Sequence, residues 1–231
     1  MIKNMKDILR KHYWSLPDSF TGYIQEKRDN RRASRYVFRP YFDSTKSIYI
    51  HIPKVAGKSI SNALYGDDPM HHKLHEFREI DANKYNLYFK FGFVRNPWGR
   101  LYSAYNYLVN KNNYYPYGKY WWLNEYDSFD RFVIKGLTKE LVENDMFFAS
   151  QVSYLKNLSG EIDVDFIGKF ESINDDYIYI AKKLGITKDL EKIGASAKNI
   201  DYYSEYSNDM IKKVREIYID DVNEFNYDFL S

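Results

Sequence analysis

Two short stretches carry residue types and spacings suited to holding a phosphate-like anion. The first is His51-Ile52-Pro53-Lys54-Val55-Ala56-Gly57-Lys58-Ser59-Ile60, which reads as a strand end, a tight turn and a helix start. Such a junction aims backbone N–H groups and the positive end of the helix dipole at an anion. Gly57 lets the backbone come close, and Lys54, Lys58 and Ser59 add charge and donors. The second stretch runs from Phe93-Val94-Arg95-Asn96-Pro97-Trp98 to Ser103-Ala104-Tyr105. Arg95 leaves the end of a strand and Ser103 lies two turns into the next helix. A guanidinium fork and a hydroxyl so placed can reach one phosphate. Each stretch also has a plain structural reading. The lysines could face solvent, Arg95 could pair with a carboxylate, and Ser103 could bond back to its own helix.

Between the two lies Met70-His71-His72-Lys73-Leu74-His75-Glu76. Histidine is the natural general base near neutral pH. A solvated surface cluster, or one that picks up metal adventitiously, is the competing reading.

The elements that must position these residues follow from periodicity. Ser47 to Ile52 is a short β-branched and aromatic strand, Lys58 to Tyr65 a helix, and Leu87 to Val94 a second strand alternating Leu87, Phe89, Phe91 and Phe93. Pro97 suits the first turn of the next helix, which carries Trp98, Leu101, Tyr105 and Leu108 on one side. Val164 to Phe170 reads as a third strand, and Ile173 to Leu184 as a helix closed by Gly185. Ile211, Val214, Tyr218, Val222 and Phe225 form the stripe of one long C-terminal helix. Strands alternating with helices predict a single α/β domain with a parallel sheet. It spans 46–231; a short amphipathic helix (Ile2 to Tyr13) and an irregular extension with Arg28, Arg31, Arg32, Arg35 and Arg39 occupy 1–45 and pack on the core.

Composition excludes other classes. With 34 Lys plus Arg against 32 Asp plus Glu the net charge is +2, which gives no field suited to nucleic acid or an anionic membrane. No cysteine is present, which removes disulfides and thiolate metal sites. Charges interrupt every apolar run, so no signal-peptide core or membrane span is expected, and the expected location is cytoplasmic. A Walker A loop would need glycine at Ile52, so Gly57-Lys58-Ser59 matches only the end of that motif. An ATP-dependent phosphotransferase is the alternative enzyme, and a nucleotide-binding module without a base the alternative non-enzyme.

Taken together the two stretches resemble the sulfotransferase superfamily, most closely its carbohydrate sulfotransferase (family 2-like) branch. Ile52 to Ile60 resembles that family's 5′-phosphosulfate loop, and Phe93 to Tyr105 its 3′-phosphate motif. Ile167-Gly168-Lys169-Phe170-Glu171 and the pattern Val214 to Tyr227 also match, so the likeness covers 46–229. It implies a P-loop-like three-layer sandwich in which a central parallel sheet is flanked by helices. The implied reaction moves a sulfuryl group from 3′-phosphoadenosine 5′-phosphosulfate (PAPS) to a carbohydrate or glycoconjugate hydroxyl, leaves the bisphosphate PAP, and demands no metal. By the same resemblance Lys54 sits on the bridging oxygen. Backbone and side chains of Lys54, Val55, Ala56, Gly57, Lys58, Ser59 and Ile60 hold the 5′ side, Arg95 and Ser103 the 3′ phosphate, and Lys198 the adenosine half. The base falls at His75, with His72 next by a register slip, and Glu76 is a further candidate. The aromatic stretch Asn113 to Trp122 is the expected acceptor side, where ring faces stack on sugars. Three positions depart from the family pattern: Lys58 for a hydroxyl residue, Gly99 for an acidic one, and Phe147 where a histidine is frequent.

Overall fold

The computed structural model describes residues 37–114, 118–190 and 201–231. Strands β1 (Ser47–Ile50), β2 (Phe89–Val94) and β3 (Phe166–Lys169) form one parallel sheet in the order β1-β2-β3. Strand β1 is wholly buried and β2, the central strand, nearly so, which explains their almost unbroken apolar runs. Helices flank the sheet: α1 (Gly57–Tyr65) and α2 (Leu74–Ile80) between β1 and β2, and α3 (Pro97–Tyr114) and α4 (Gln151–Leu155) between β2 and β3. Helix α5 (Ile173–Leu184) follows β3, with Gly185 at φ 70° closing it as expected. The fold is the single-domain α/β sandwich read from the sequence.

Register sets the site. Ile50 pairs with Gly92 and Val94 with Lys169. The residues after β1 therefore run beside the end of β2, where Arg95 Nη1 reaches the Lys54 carbonyl.

One apolar cluster surrounds the sheet, with Phe42, Ile48, Tyr49, Phe91 and Phe93 at its centre. A second gathers Trp98, Leu101, Tyr105 and Leu108, the predicted stripe of α3, against Phe132, Phe148, Val214 and Tyr218. Helix Pro40–Thr45 places Phe42 in the first cluster. The expected N-terminal helix and the arginines before Arg39 lie outside the described residues, as do 115–117 of the aromatic loop and Lys198. Among the described residues no helix is long and apolar enough to cross a membrane.

The structure corrects several boundaries. Leu87 does not open β2: it ends helix Ala82–Leu87 and is 79% exposed, because Asp81 caps that helix by accepting from Asn83 N and Lys84 N. The first strand stops at Ile50, two residues early, and the third covers only Phe166–Lys169. The C-terminal stripe is two helices, α6 (Asn208–Ile217) and α7 (Ile219–Glu224). They part at Tyr218, which leaves helical geometry (φ −105°, ψ 32°) while its hydroxyl donates to the Phe148 carbonyl at 2.7 Å. The stripe survives the break, since Val214, Tyr218, Val222 and Phe225 are all buried.

Candidate active site

Both phosphate-like motifs end at the carboxyl edge of the sheet, where open parallel sheets take ligands. In the first, Lys54 (φ 71°) and Ala56 (φ 62°) adopt left-handed backbone, with Val55 between them. Non-glycine residues held there cost about 1–3 kcal/mol each and persist only where the surroundings impose them. Left-handed residues in such a turn can bring successive N–H groups to one side, the arrangement that binds anions. Ser59 N and Ile60 N are bonded to Ala56 O, at 3.0 and 3.2 Å. Among the described residues nothing accepts from the backbone N–H groups of Lys54 to Lys58. Lys58 is exposed beside them, and Ser59 half-buried.

Arg95 is 8% exposed, and its backbone is held by a reciprocal pair: N to Gln151 Oε1 and Gln151 Nε2 to Arg95 O, both 2.8 Å. Gln151 is fixed in turn by Asp221, which accepts from Gln151 N (2.9 Å), Gln151 Nε2 (3.3 Å) and Val152 N (2.9 Å). Burial raises the Asp221 pKa, against the Arg100 charge and those hydrogen bonds. The Arg95 guanidinium lies 4.1 Å from the Phe170 ring centroid and makes one long bond, Nη1 to Lys54 O at 3.4 Å. Among the described residues no carboxylate forms an ion pair with it, although the charge of Glu171 acts on it. Burial lowers its pKa, as it must for a cation short of partners. Ser103 is half-buried on α3 and makes no back-bond to another described residue.

Three supports fix this edge. Arg100, 2% exposed, donates Nε to Pro53 O (3.0 Å), Nη1 to Ala149 O (2.8 Å) and Nη2 to Phe147 O (3.4 Å). Glu171 accepts from Asn96 N (2.8 Å) and from the Tyr227 hydroxyl (2.7 Å), a structural role. Gly99 stands under Tyr202: a Cβ there would come within 2.8 Å of Tyr202 Cε1. Any side chain at 99 would therefore have to displace that ring.

Lys54 Nζ lies 4.2 Å from the centroid of Tyr107, and its pKa falls to about 8, first through burial and then through the charges of Arg95 and Lys58. Tyr107 contacts Phe147 (centroids 5.5 Å), and Phe147 contacts Tyr120 (5.6 Å). An aromatic run thus leads from Lys54 to Asp145, which is buried and paired with Lys119 at 3.3 Å. The expected aromatic acceptor stretch divides here. Tyr120 and Trp122 pack inward, while Trp121 is 47% exposed.

The histidines differ sharply. His72 Nδ1 is 2.9 Å from Glu76 Oε2, while Glu76 Oε1 accepts from Lys73 N at 2.7 Å. Burial would raise Glu76, but the bonds from His72 and Lys73 hold it below the usual carboxylate range. His75 is half-buried on the first turn of α2 with no hydrogen bond among the described residues. His71, which sequence reasoning passed over, donates Nδ1–H to the His51 carbonyl at 2.7 Å, and its pKa falls to about 4, chiefly by burial. Carbonyl contacts of this kind leave no trace in spacing.

A strained loop with unbonded N–H groups and a buried, under-bonded guanidinium lie together on one sheet edge of an α/β protein, an arrangement chemically able to hold a multiply charged anion. A family model described as "Sulfotransferase family" matches residues 41–228, and the chain belongs to the sulfotransferase family. Comparison with curated proteins and with solved structures gives no match.

Proposed function

We propose that this protein transfers a sulfuryl group from PAPS to a hydroxyl of a carbohydrate or glycoconjugate, in the cytoplasm. The observation that carries the donor is the Arg95 guanidinium, 8% exposed with one 3.4 Å hydrogen bond. A buried cation short of acceptors fits a ligand that brings them, and a 3′ phosphate is what distinguishes this donor from ATP. The backbone N–H groups of Lys54 to Lys58 fit a second phosphate-like group, with Ser59 and Ile60 completing that turn and Ser103 joining Arg95 on the 3′ side.

When bound, the donor supplies an activated sulfuryl group whose transfer puts negative charge on the bridging oxygen. Lys54 would stabilise that charge and supply a proton from Nζ. The acceptor hydroxyl needs a base at the opposite end of the transfer line. His72 suits this task better than His75, because Glu76 fixes Nδ1 and leaves Nε2 for the proton, the logic of an oriented imidazole. The aromatic run from Tyr107 to Tyr120 supports a sugar acceptor beside Lys54.

Isothermal titration with PAP, AMP and ATP on wild type and Arg95→Ala tests the reading. Tight PAP binding, lost with AMP and in Arg95→Ala, is the expected result. Equal or tighter ATP binding with a Mg²⁺ requirement would replace it with a phosphotransferase.

A further inference from the structure

His51 follows β1 and is 3% exposed. Its Nδ1 lies 2.8 Å from Asp68 Oδ1. A carboxylate only accepts, so Nδ1 carries the proton. Burial opposes the Asp68 charge, but the bond and charge of His51, with the Met70 N–H, hold its pKa at about 2. Tyr49 stacks on the His51 ring at 5.8 Å and His71 lies across it at 4.3 Å, also bonded to the His51 carbonyl. The imidazole is thus fixed by its acid and by two rings.

Its other edge meets the cradle. His51 Cδ2 and Nε2 lie 1.9 and 2.0 Å from the place a Gly57 Cβ would occupy. Helical Cα–Cβ bonds tilt toward the N-terminus, so that edge lies on the N-terminal side of the first turn of α1. The unbonded N–H groups of a helix start point the same way. No described residue hydrogen-bonds to Nε2.

We propose that His51, oriented by Asp68, is a donor-binding residue whose Nε2 hydrogen-bonds the phosphoanion seated over Gly57. The assignment deepens the donor reading above and rests on it. Facing such an anion, Nε2 carries a proton and donates while Nδ1 stays on Asp68. Gly57 is then required for a second reason besides backbone approach: the imidazole fills the space of its side chain.

The test is titration calorimetry with PAP and, separately, with pyrophosphate, on wild type, His51→Asn and His51→Gln, with melting curves for each. Asparagine keeps a donor near Nδ1 and deletes Nε2; glutamine places an amide near Nε2. Expected is about a tenfold loss of affinity for both ligands in His51→Asn, the scale of one charge-assisted hydrogen bond. His51→Gln should recover most of it, with all three proteins melting cooperatively. Wild-type affinity in His51→Asn, or equal losses in the two variants, overturns the assignment. If wild type binds pyrophosphate through His51 but not PAP, the donor identity falls and His51 stands. Binding of neither ligand overturns both.

Discussion

Arg100 Nε holds the Pro53 carbonyl at 3.0 Å, so the first turn of α3 grips the loop after β1 directly. Its other nitrogens reach Ala149 O and Phe147 O. The two phosphate-like motifs are therefore one mechanical unit. Replacing Arg100 with Met leaves three carbonyls without their donor, at about 1–3 kcal/mol for each that stays dry. Urea unfolding should show a loss on the order of 3 kcal/mol, and PAP should bind more weakly. A loss within ~0.5 kcal/mol, the scale of a neutral surface change, would mean the guanidinium is not the tie.

Lys54 gives a pH signature. Its pKa is about 8 folded and 10.5 as a free side chain, so between those values the unfolded chain holds a proton that the folded one has released. Stability from this group accordingly rises with pH from about 8 to 10.5, and Lys54→Met should flatten that rise in denaturation measured across the window. If the ammonium is the acting form, kcat/KM should fall as pH climbs through about 8. Tyr107→Leu should move that fall to lower pH by removing the ring 4.2 Å from Nζ, while Tyr107→Phe should leave it in place. Identical limbs in both variants would remove Tyr107 from the control of Lys54.

Acid acts through His71. Its folded pKa of about 4 lies below the ordinary 6.5, so the unfolded state takes up a proton first as pH falls. The neutral imidazole's contribution is therefore lost between about 6.5 and 4, whereas that of Asp68 is lost at lower pH, between 3.8 and about 2. In His71→Asn, stability measured at pH 6.5 and 4.5 should differ less than in wild type. An unchanged slope would place the acid sensitivity elsewhere.

Adjacent tryptophans should part company. Trp121 is 47% exposed, whereas Trp122 packs on Tyr126, Phe132 and Phe148. Trp121→Ala should raise the acceptor KM well above any change in the donor KM and leave melting nearly unchanged. Trp122→Ala should cost about 3 kcal/mol of stability, as large-to-small core changes do. Equal rises in both KM values for Trp121→Ala would take that ring out of the acceptor site.

Much of this was legible in the chain. Local pattern located β1, β2, α3 and α5, because strands buried on both faces leave near-continuous apolar runs and a one-sided helix leaves a stripe every third or fourth residue. The two strand–turn–helix junctions were legible because that geometry is local in sequence. What escaped was long-range. Leu87 continues the strand alternation, yet Asp81 captures it for a helix. Tyr218 continues the helical stripe, yet a hydroxyl bond to Phe148, 70 residues away, accompanies the break. The ranking of the histidines turned on carboxyl and carbonyl partners, Glu76 for His72 and His51 O for His71, which no periodic pattern reports.

Gly99 and Tyr202 carry a consequence for how this chain can change. With Tyr202 in place a side chain at 99 meets its ring, so a lone acidic replacement there must displace the tyrosine. A smaller residue at 202 opens the path, and the order of the two replacements then matters. The same acidic residue should cost more stability if introduced first than if introduced second, so the two positions, 103 residues apart in sequence, are energetically coupled.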